Sequence, residues 1–526
     1  MSKFGDGRGG PCCPPIALAL FLFSSCLWTS GTSGIAFAQG SAPAAAAPDP
    51  VKTLREDKAL ANGTLTVNSG TYSCVDDRLA SAKRYVITGA FRTGEVARAT
   101  TNPGDSKYPI GGMLRVGNPG WPIYKKPIKQ FNPDGVIVFD GGGFLEYAGQ
   151  GLDPANQGCA ILSEVNRIEL NNGLSEIRMI NGNNVSATTT LLVDDRKNGI
   201  VRQQGATLMI GGDDSLSAIG MGKALGVAER FIVASGMEHF LRGGGGAPGS
   251  SNVSIIPWMT LGTIYHPGVE VVTYDPTKGI RCLSAAEYDT TSVLGTPDRN
   301  VRNVSLTLGV NKQQTINSFL TNSWDNTDIG PGSTLTITSG FISFGMGAAC
   351  SIGNGDDPAA AGTINFGPAE GIIWAAFAAF RPSTIGSVIT GTGGLTMAGT
   401  NTLILNGANT YTGKTYVGSG ILQVGDGKRA TARLGNGDID VASGATLRIK
   451  ASVANAIAPT AAVTLHRTGS LFFGRMDLES GINQEVRRLV LNDAVQPAGT
   501  YGSSASAADH KLDNYFNGPG MLTVKG

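Results

Sequence analysis

GTGGLTMAGTNTLILNGANTYTGKTYVGSGILQVGDG, residues 391–427, is the stretch that decides the fold. Leu395 and Met397 share one side of a short strand, Leu403 and Leu405 one side of a second, and Leu422 and Val424 one side of a third. Asn406-Gly407, Thr412-Gly413 and Gly418-Ser419-Gly420 separate these runs as corners, where Gly or Asn tolerates positive φ. A unit of several short strands in roughly 30 residues cannot bury its own apolar face. Stacked units bury a continuous column and satisfy one another's backbone groups at a rung spacing of about 4.8 Å. A stack of 10 to 20 such rungs is expected to be a rod on the order of 50–100 Å long.

Similar runs extend toward the N-terminus: GTLTVNSG (63–70), GVIVFD (135–140), EIRMI (176–180), TTLLVD (189–194), ATLMIG (206–211), VSLTLG (304–309), TLTITSG (334–340) and TINFG (363–367). Each has the length of a short strand, and Gly, Asn or Asp pairs bound most of them. Thr71 to Pro133 is irregular and reads as a cap or insertion, while Ser215 to Glu238 reads as a short helix or inserted loop. Composition agrees with an all-β chain. Gly is 75 of 526 residues and only 15% are charged, against usual shares of about 7% and ~25%.

The net charge of +1 gives no electrostatic footprint for nucleic acid or an anionic membrane. Lys125, Lys126 and Lys129 beside Trp121 and Tyr124 could stack on a base or sugar, although such clusters in Pro-containing loops are commonly just solvated. Lys3 and Arg8, the apolar run Ile16 to Leu27 and Ala36-Phe37-Ala38 read as an export signal cleaved before Gln39. A rival reading makes Cys26 a lipidated residue, but Phe23 fits that box poorly. Neither Ile16–Leu27 nor Gly371–Phe380 is long enough to span a bilayer. After such cleavage Cys74, Cys159, Cys282 and Cys350 remain, too scattered for a stapling framework and without zinc-site spacing.

No catalytic, cofactor-binding or metal residue is assigned. The acidic pairs Asp76-Asp77, Asp194-Asp195, Asp213-Asp214 and Asp356-Asp357 are the candidates for Ca²⁺ or paired-carboxylate chemistry. Adjacent strand residues point to opposite faces, and no Ca²⁺ loop accompanies them. His239, His266, His466 and His510 are dispersed and read as surface or rung-edge histidines. GGGG (243–246) lacks a following Lys-Ser/Thr and reads as a bend.

GGLT (393–396), NTLILNGANTYTGKTYV (401–417) and GILQVGDG (420–427) resemble the autotransporter-associated β-strand repeat, or passenger-associated transport repeat, with Lys414 in place of its usual Gly. GDIDVASGATLRI (437–449), QPAGTYG (496–502) and NYFNGPGMLTV (514–524) resemble the closing region of large secreted repeat proteins of the planctomycete and verrucomicrobial kind. IIPWMTLG (255–262), GIRCLSAAEY (279–288) and LTITSGFISFG (335–345) resemble them more loosely. The resemblance implies a right-handed parallel β-helix, or β-solenoid, and a role for the repeat in export. No membrane β-barrel of amphipathic strands follows the repeats, so transport through the chain's own barrel is not expected.

The expected organisation is a signal peptide (1–38), a Pro/Ala-rich linker (39–62), an irregular N-terminal cap or insertion (63–133), degenerate solenoid rungs (134–390), the repeat (391–427), and closing rungs (428–526). The expected function is that of a non-catalytic bacterial surface or extracellular protein, of adhesion or structural type, contacting glycan or matrix components. The alternative is a carbohydrate-active β-helix enzyme, a polysaccharide lyase or hydrolase.

Overall fold

A computed structural model describes residues 52–53, 63–68, 71–74, 77–89, 112–116, 131–148, 161–180, 189–194, 199–211, 230–263, 266–291, 298–302, 306–321, 327–345, 351–353, 361–375, 382–469 and 472–526. They belong to one unit, 51–526. The export signal, Cys26, Cys159, Cys350, the Trp121–Lys129 cluster, Asp213-Asp214 and Asp356-Asp357 lie outside the described residues.

The described chain is all-β and its pairing is dominated by parallel strands. In the N-terminal part, consecutive strands visit three sheets in turn. Val136–Asp140, Gly143–Ala148 and Ile161–Val165 are followed by Arg167–Leu170, Leu174–Ile180 and Thr189–Val193, then by Ile200–Arg202, Thr207–Gly211 and Arg230–Val233. Each pairs in parallel with the strand three places earlier. Leu145, Ile177 and Ile210 therefore stack in register, and each is wholly buried. The irregular stretch contributes too: Arg84–Thr88 extends the first of these sheets, and Thr71–Cys74 and Met113–Val116 extend the second. Of Ser215 to Glu238, the described part holds the strand Arg230–Val233 and the start of a single 3₁₀ turn, Glu238–Phe240.

In the C-terminal part, strands alternate between two principal sheets. Leu395–Gly399, Thr415–Val417 and Ile439–Val441 pair in one; Thr402–Leu405, Ile421–Val424 and Thr446–Ile449 pair in the other. Leu403, Leu422 and Leu447 form a continuous, fully buried column. The polar residues of NTYTG are structural. Asn409 accepts from Ile389 N at 2.8 Å and donates to Arg433 O at 2.8 Å, bridging chain segments that precede and follow it. Tyr411 OH and Thr415 Oγ1 share a buried 2.7 Å hydrogen bond. The glycines of these corners serve two purposes. Gly420 has φ +68°, whereas Gly413 is needed for close stacking, because a Cβ there would lie 2.3 Å from Gly394 N.

The two parts have separate apolar cores, and the second doubles back along the first. On the strand Gly371–Ala375, Ile373 and Ala375 enter the C-terminal core. Ile372 and Trp374 point the other way and join the N-terminal core, as do Leu320, Phe341 and Ala398. Trp374 donates its indole N–H to Pro257 O at 3.2 Å. Further along, Arg202 grips Glu370 with two 2.9 Å hydrogen bonds, and Gln204 Nε2 reaches Gly393 O at 2.7 Å. Gly205 then abuts Tyr416, Gly141 abuts Thr468, and Gly469 lies near Asn68 O. As the second part advances from 374 to 469, its contacts in the first retreat from 257 to 68. The two stacks run antiparallel, joined by a seam.

One sheet of the N-terminal part carries buried charge. Arg115 Nε donates to Glu146 at 2.5 Å, Arg178 lies 3.8 Å from Glu146 and 3.5 Å from Glu176, and its guanidinium sits 5.0 Å from the Phe144 ring centroid. Glu146, Glu176 and Arg178 are all buried. Desolvation offsets much of the attraction in buried ion pairs, so these add little net stability.

The turnaround abandons parallel stacking. Met259–Thr263, His266–Asp275 and Gly279–Cys282 pair antiparallel. Arg281 holds Glu287 through two 2.7 Å hydrogen bonds, and Glu287 also accepts from Ser284 N and Gly249 N. Thus GIRCLSAAEY is a capping segment. At the other end, Gly499–Gly502 pairs antiparallel with Met521–Val524, covering the last rungs with a mixed sheet.

Candidate functional site

The seam opens into a cavity of about 430 Å³ between the Arg202–Glu370 clamp and the Gly141–Thr468 contact. Its first wall comes from two successive corners of the N-terminal stack, Asn171-Asn172-Gly173 and Gln203-Gln204-Gly205. Both follow strands of the same sheet, so parallel register places one corner above the other. Gly173 and Gly205 have φ +75° and +88°, a conformation that glycine adopts without cost. Gly205 has a second reason, since a Cβ there would meet the Tyr416 ring at 2.3 Å.

The second wall is the outward face of the C-terminal stack. Tyr416 and Asp440 are in register on neighbouring strands. Lys414, Gly418, Ala442 and His466 complete it. Lys414 Nζ donates to Asp440 Oδ2 at 2.6 Å and lies 5.4 Å from the Tyr416 ring centroid. Burial pulls the Lys414 ammonium down, but the hydrogen bond and charge of Asp440 outweigh it and lift the group above its ordinary pKa. Burial raises the Tyr416 phenol, Lys414 counteracts this, and Asp440 and Glu370 add to the rise. At neutral pH the wall therefore presents a closed ion pair and a neutral phenol.

The amides differ in what remains to them. Asn171 and Asn172 reach Asp140 Oδ1 only weakly, at 3.5 and 3.4 Å. Gln204 Nε2 is committed to Gly393 O. Asn172 Oδ1 is buried and has no hydrogen-bond donor among the described residues. His466 is held through its backbone, whose N–H donates to Val441 O at 3.0 Å and whose carbonyl accepts from Gly474 N at 2.7 Å.

Of the histidines, only His466 reaches this cavity. His239 sits in the exposed 3₁₀ turn with its ring 3.9 Å from Phe240, His266 begins a strand in the turnaround, and His510 stacks on Tyr501 at 4.6 Å. Asp194 is exposed at a strand end, and the backbone of Asp77 begins a 3₁₀ turn; their partners Asp195 and Asp76 are outside the described residues. GGGG is a bend beside Asn317 and Asn252, with Gly243 and Gly245 at positive φ. Cys282 is a free thiol, and burial pushes its pKa up. Among the described residues, no three His, Cys, Asp or Glu side chains converge as a metal site, and no helix is long and apolar enough to cross a membrane.

Sequence reasoning missed Asn171, Asn172, Gln203, Gln204, Tyr416 and Asp440. The two Asn-Asn-Gly and Gln-Gln-Gly corners read only as turns, and no local pattern links them to residues more than two hundred positions away. Lys414 stood out as the departure from the repeat it resembles, but as a turn residue. No family model, curated protein or solved structure matches the chain.

Proposed function

We propose that this chain is an exported β-solenoid protein of autotransporter-repeat type, with right-handed coils, acting as a non-catalytic surface or extracellular scaffold that contacts glycan or matrix components. The stacked parallel register supports the solenoid reading. Leu403, Leu422 and Leu447 repeat at one position of successive coils, as the repeat signature demands. Export is supported by the basic, apolar and small-residue pattern before Gln39.

The observation that carries a binding role is the seam cavity. Its polar lining is amide, phenol, imidazole and one closed Lys414–Asp440 pair. Glycoside hydrolysis by paired carboxylates needs two acidic groups spaced across the scissile bond; the described lining supplies Asp440, already engaged by Lys414. The reading is tested by a glycan-array screen on the secreted protein, run beside a polysaccharide-cleavage assay. Saturable binding without cleavage is the expected result. Turnover of any polysaccharide would establish the carbohydrate-active alternative, and an N-terminus of the secreted protein other than Gln39 would overturn the export assignment.

A further inference from the structure

We infer that the seam cavity is a binding site for one or two pyranose units of a neutral glycan. The inference rests on the glycan-contact reading above and gives it a place and a ligand class. At about 430 Å³ the cavity lies toward the small end of the range, roughly 300–1,000 Å³, that accommodates small ligands.

Charge decides against an anionic ligand. Lys414 is the lysine of the described lining, and its ammonium is held 2.6 Å from Asp440, so the pair presents no net charge. A phosphate or carboxylate would have to break that contact. A wholly apolar ligand is disfavoured too, because the lining is about evenly polar and apolar, its polar half being amide, phenol, imidazole, the Lys414–Asp440 pair and backbone, and Val417 faces the C-terminal core.

What remains matches a polyol. A sugar hydroxyl both donates and accepts, and so do side-chain amides, while an imidazole ring offers at least one N–H donor. Asn172 lines the wall, and its Nδ2 makes only a long 3.4 Å contact with Asp140 Oδ1. Gln203 is exposed at the rim, and no hydrogen bond from a described residue engages the His466 imidazole. These groups come from two stacks held by the Arg202–Glu370 clamp, so they are positioned before any ligand enters.

The test is titration calorimetry of the secreted full chain with cellobiose, maltose, mannobiose and, as the charged control, digalacturonate. Two variants accompany it: His466→Ala, which deletes a donor–acceptor group, and Gln203→Trp, which fills the cavity from its exposed rim. At least one neutral disaccharide should bind saturably, and both variants should weaken it tenfold or more while their melting temperatures stay at the parent value. Gln203→Trp and a conservative His466→Gln, which should retain part of the affinity, separate loss of the site from misfolding. Absence of neutral-disaccharide binding, preference for digalacturonate, or undiminished affinity in both variants would overturn the proposal. If the array is positive while the variants bind undiminished, glycan contact stands and this site does not. If the array is blank, both fall.

Discussion

Trp374 provides the sharpest test of the doubled arrangement. On a strand with one buried and one solvated face, Ile373 and Trp374 point to opposite sides, and only one of them should matter for stability. Here both are fully buried, Ile373 in the C-terminal core and Trp374 across the seam against the N-terminal one. A Trp side chain buries about 150–250 Å². At about 25 cal/mol per Å² that is roughly 4–6 kcal/mol of transfer free energy, in line with the ~3–5 kcal/mol found when buried aromatics are cut to Ala. Trp374→Ala also strands Pro257 O, which loses the 3.2 Å indole donor, adding about 1 kcal/mol. A loss near 4 kcal/mol is therefore expected after partial relaxation, beside about 2–5 kcal/mol for Ile373→Ala. Equilibrium urea unfolding followed by far-UV circular dichroism measures both without using the deleted indole as probe. If Trp374→Ala costs less than about 1 kcal/mol while Ile373→Ala costs its full amount, the outward face of that strand is solvated and the seam does not exist.

Two further outcomes follow from the coil column and the turnaround. Leu403→Asp or Leu422→Asp places a carboxylate among fully buried leucines of neighbouring coils and should cost several kcal/mol; unchanged denaturation midpoints would show that these residues face outward. Burial works to raise the Glu287 pKa, but hydrogen bonds from Arg281, Gly249 N and Ser284 N prevail and hold the carboxyl near 2, below its ordinary 4.5. Its folded-state pKa is depressed, so its contribution is full above about pH 4.5 and is lost as pH falls toward 2. Glu287→Gln should therefore flatten the acid limb of the stability profile over that window in urea titrations at stepped pH, and an unaltered limb would contradict the geometry around Arg281.

Much of the strand structure was legible because period-2 alternation leaves little choice of face. EIRMI and TLTITSG fall within described strands, ATLMIG does so from Thr207 on, and the leucines of 403–424 point inward. The doubling was harder to read. Its signal was the run GIIWA (371–375), whose unbroken apolar sequence marks a strand buried on both faces, although its length drew attention only as a possible membrane span. Glu146, Glu176 and Arg178 pointed the wrong way: charges alternating with Leu145, Ile177 and Met179 spell a solvated outer face, yet all three are buried. The cavity was illegible for a related reason. Its two walls belong to different stacks, and nothing local to Asn171-Asn172 or Gln203-Gln204 records which residues will lie opposite.

The antiparallel course of the stacks also sets an order in time. Seam contacts join residues as distant in sequence as Asn68 and Gly469, and contacts of such separation are the slowest to form. A chain synthesised from its N-terminus completes the first stack's sheet long before residues 371–469 exist to cover it. During that interval Met209 and Trp258 lack Trp374 and Ala398, which share their buried cluster in the finished protein. Apolar surface that the finished protein buries is then open to water on an edge-rich sheet until the C-terminal half arrives to displace it.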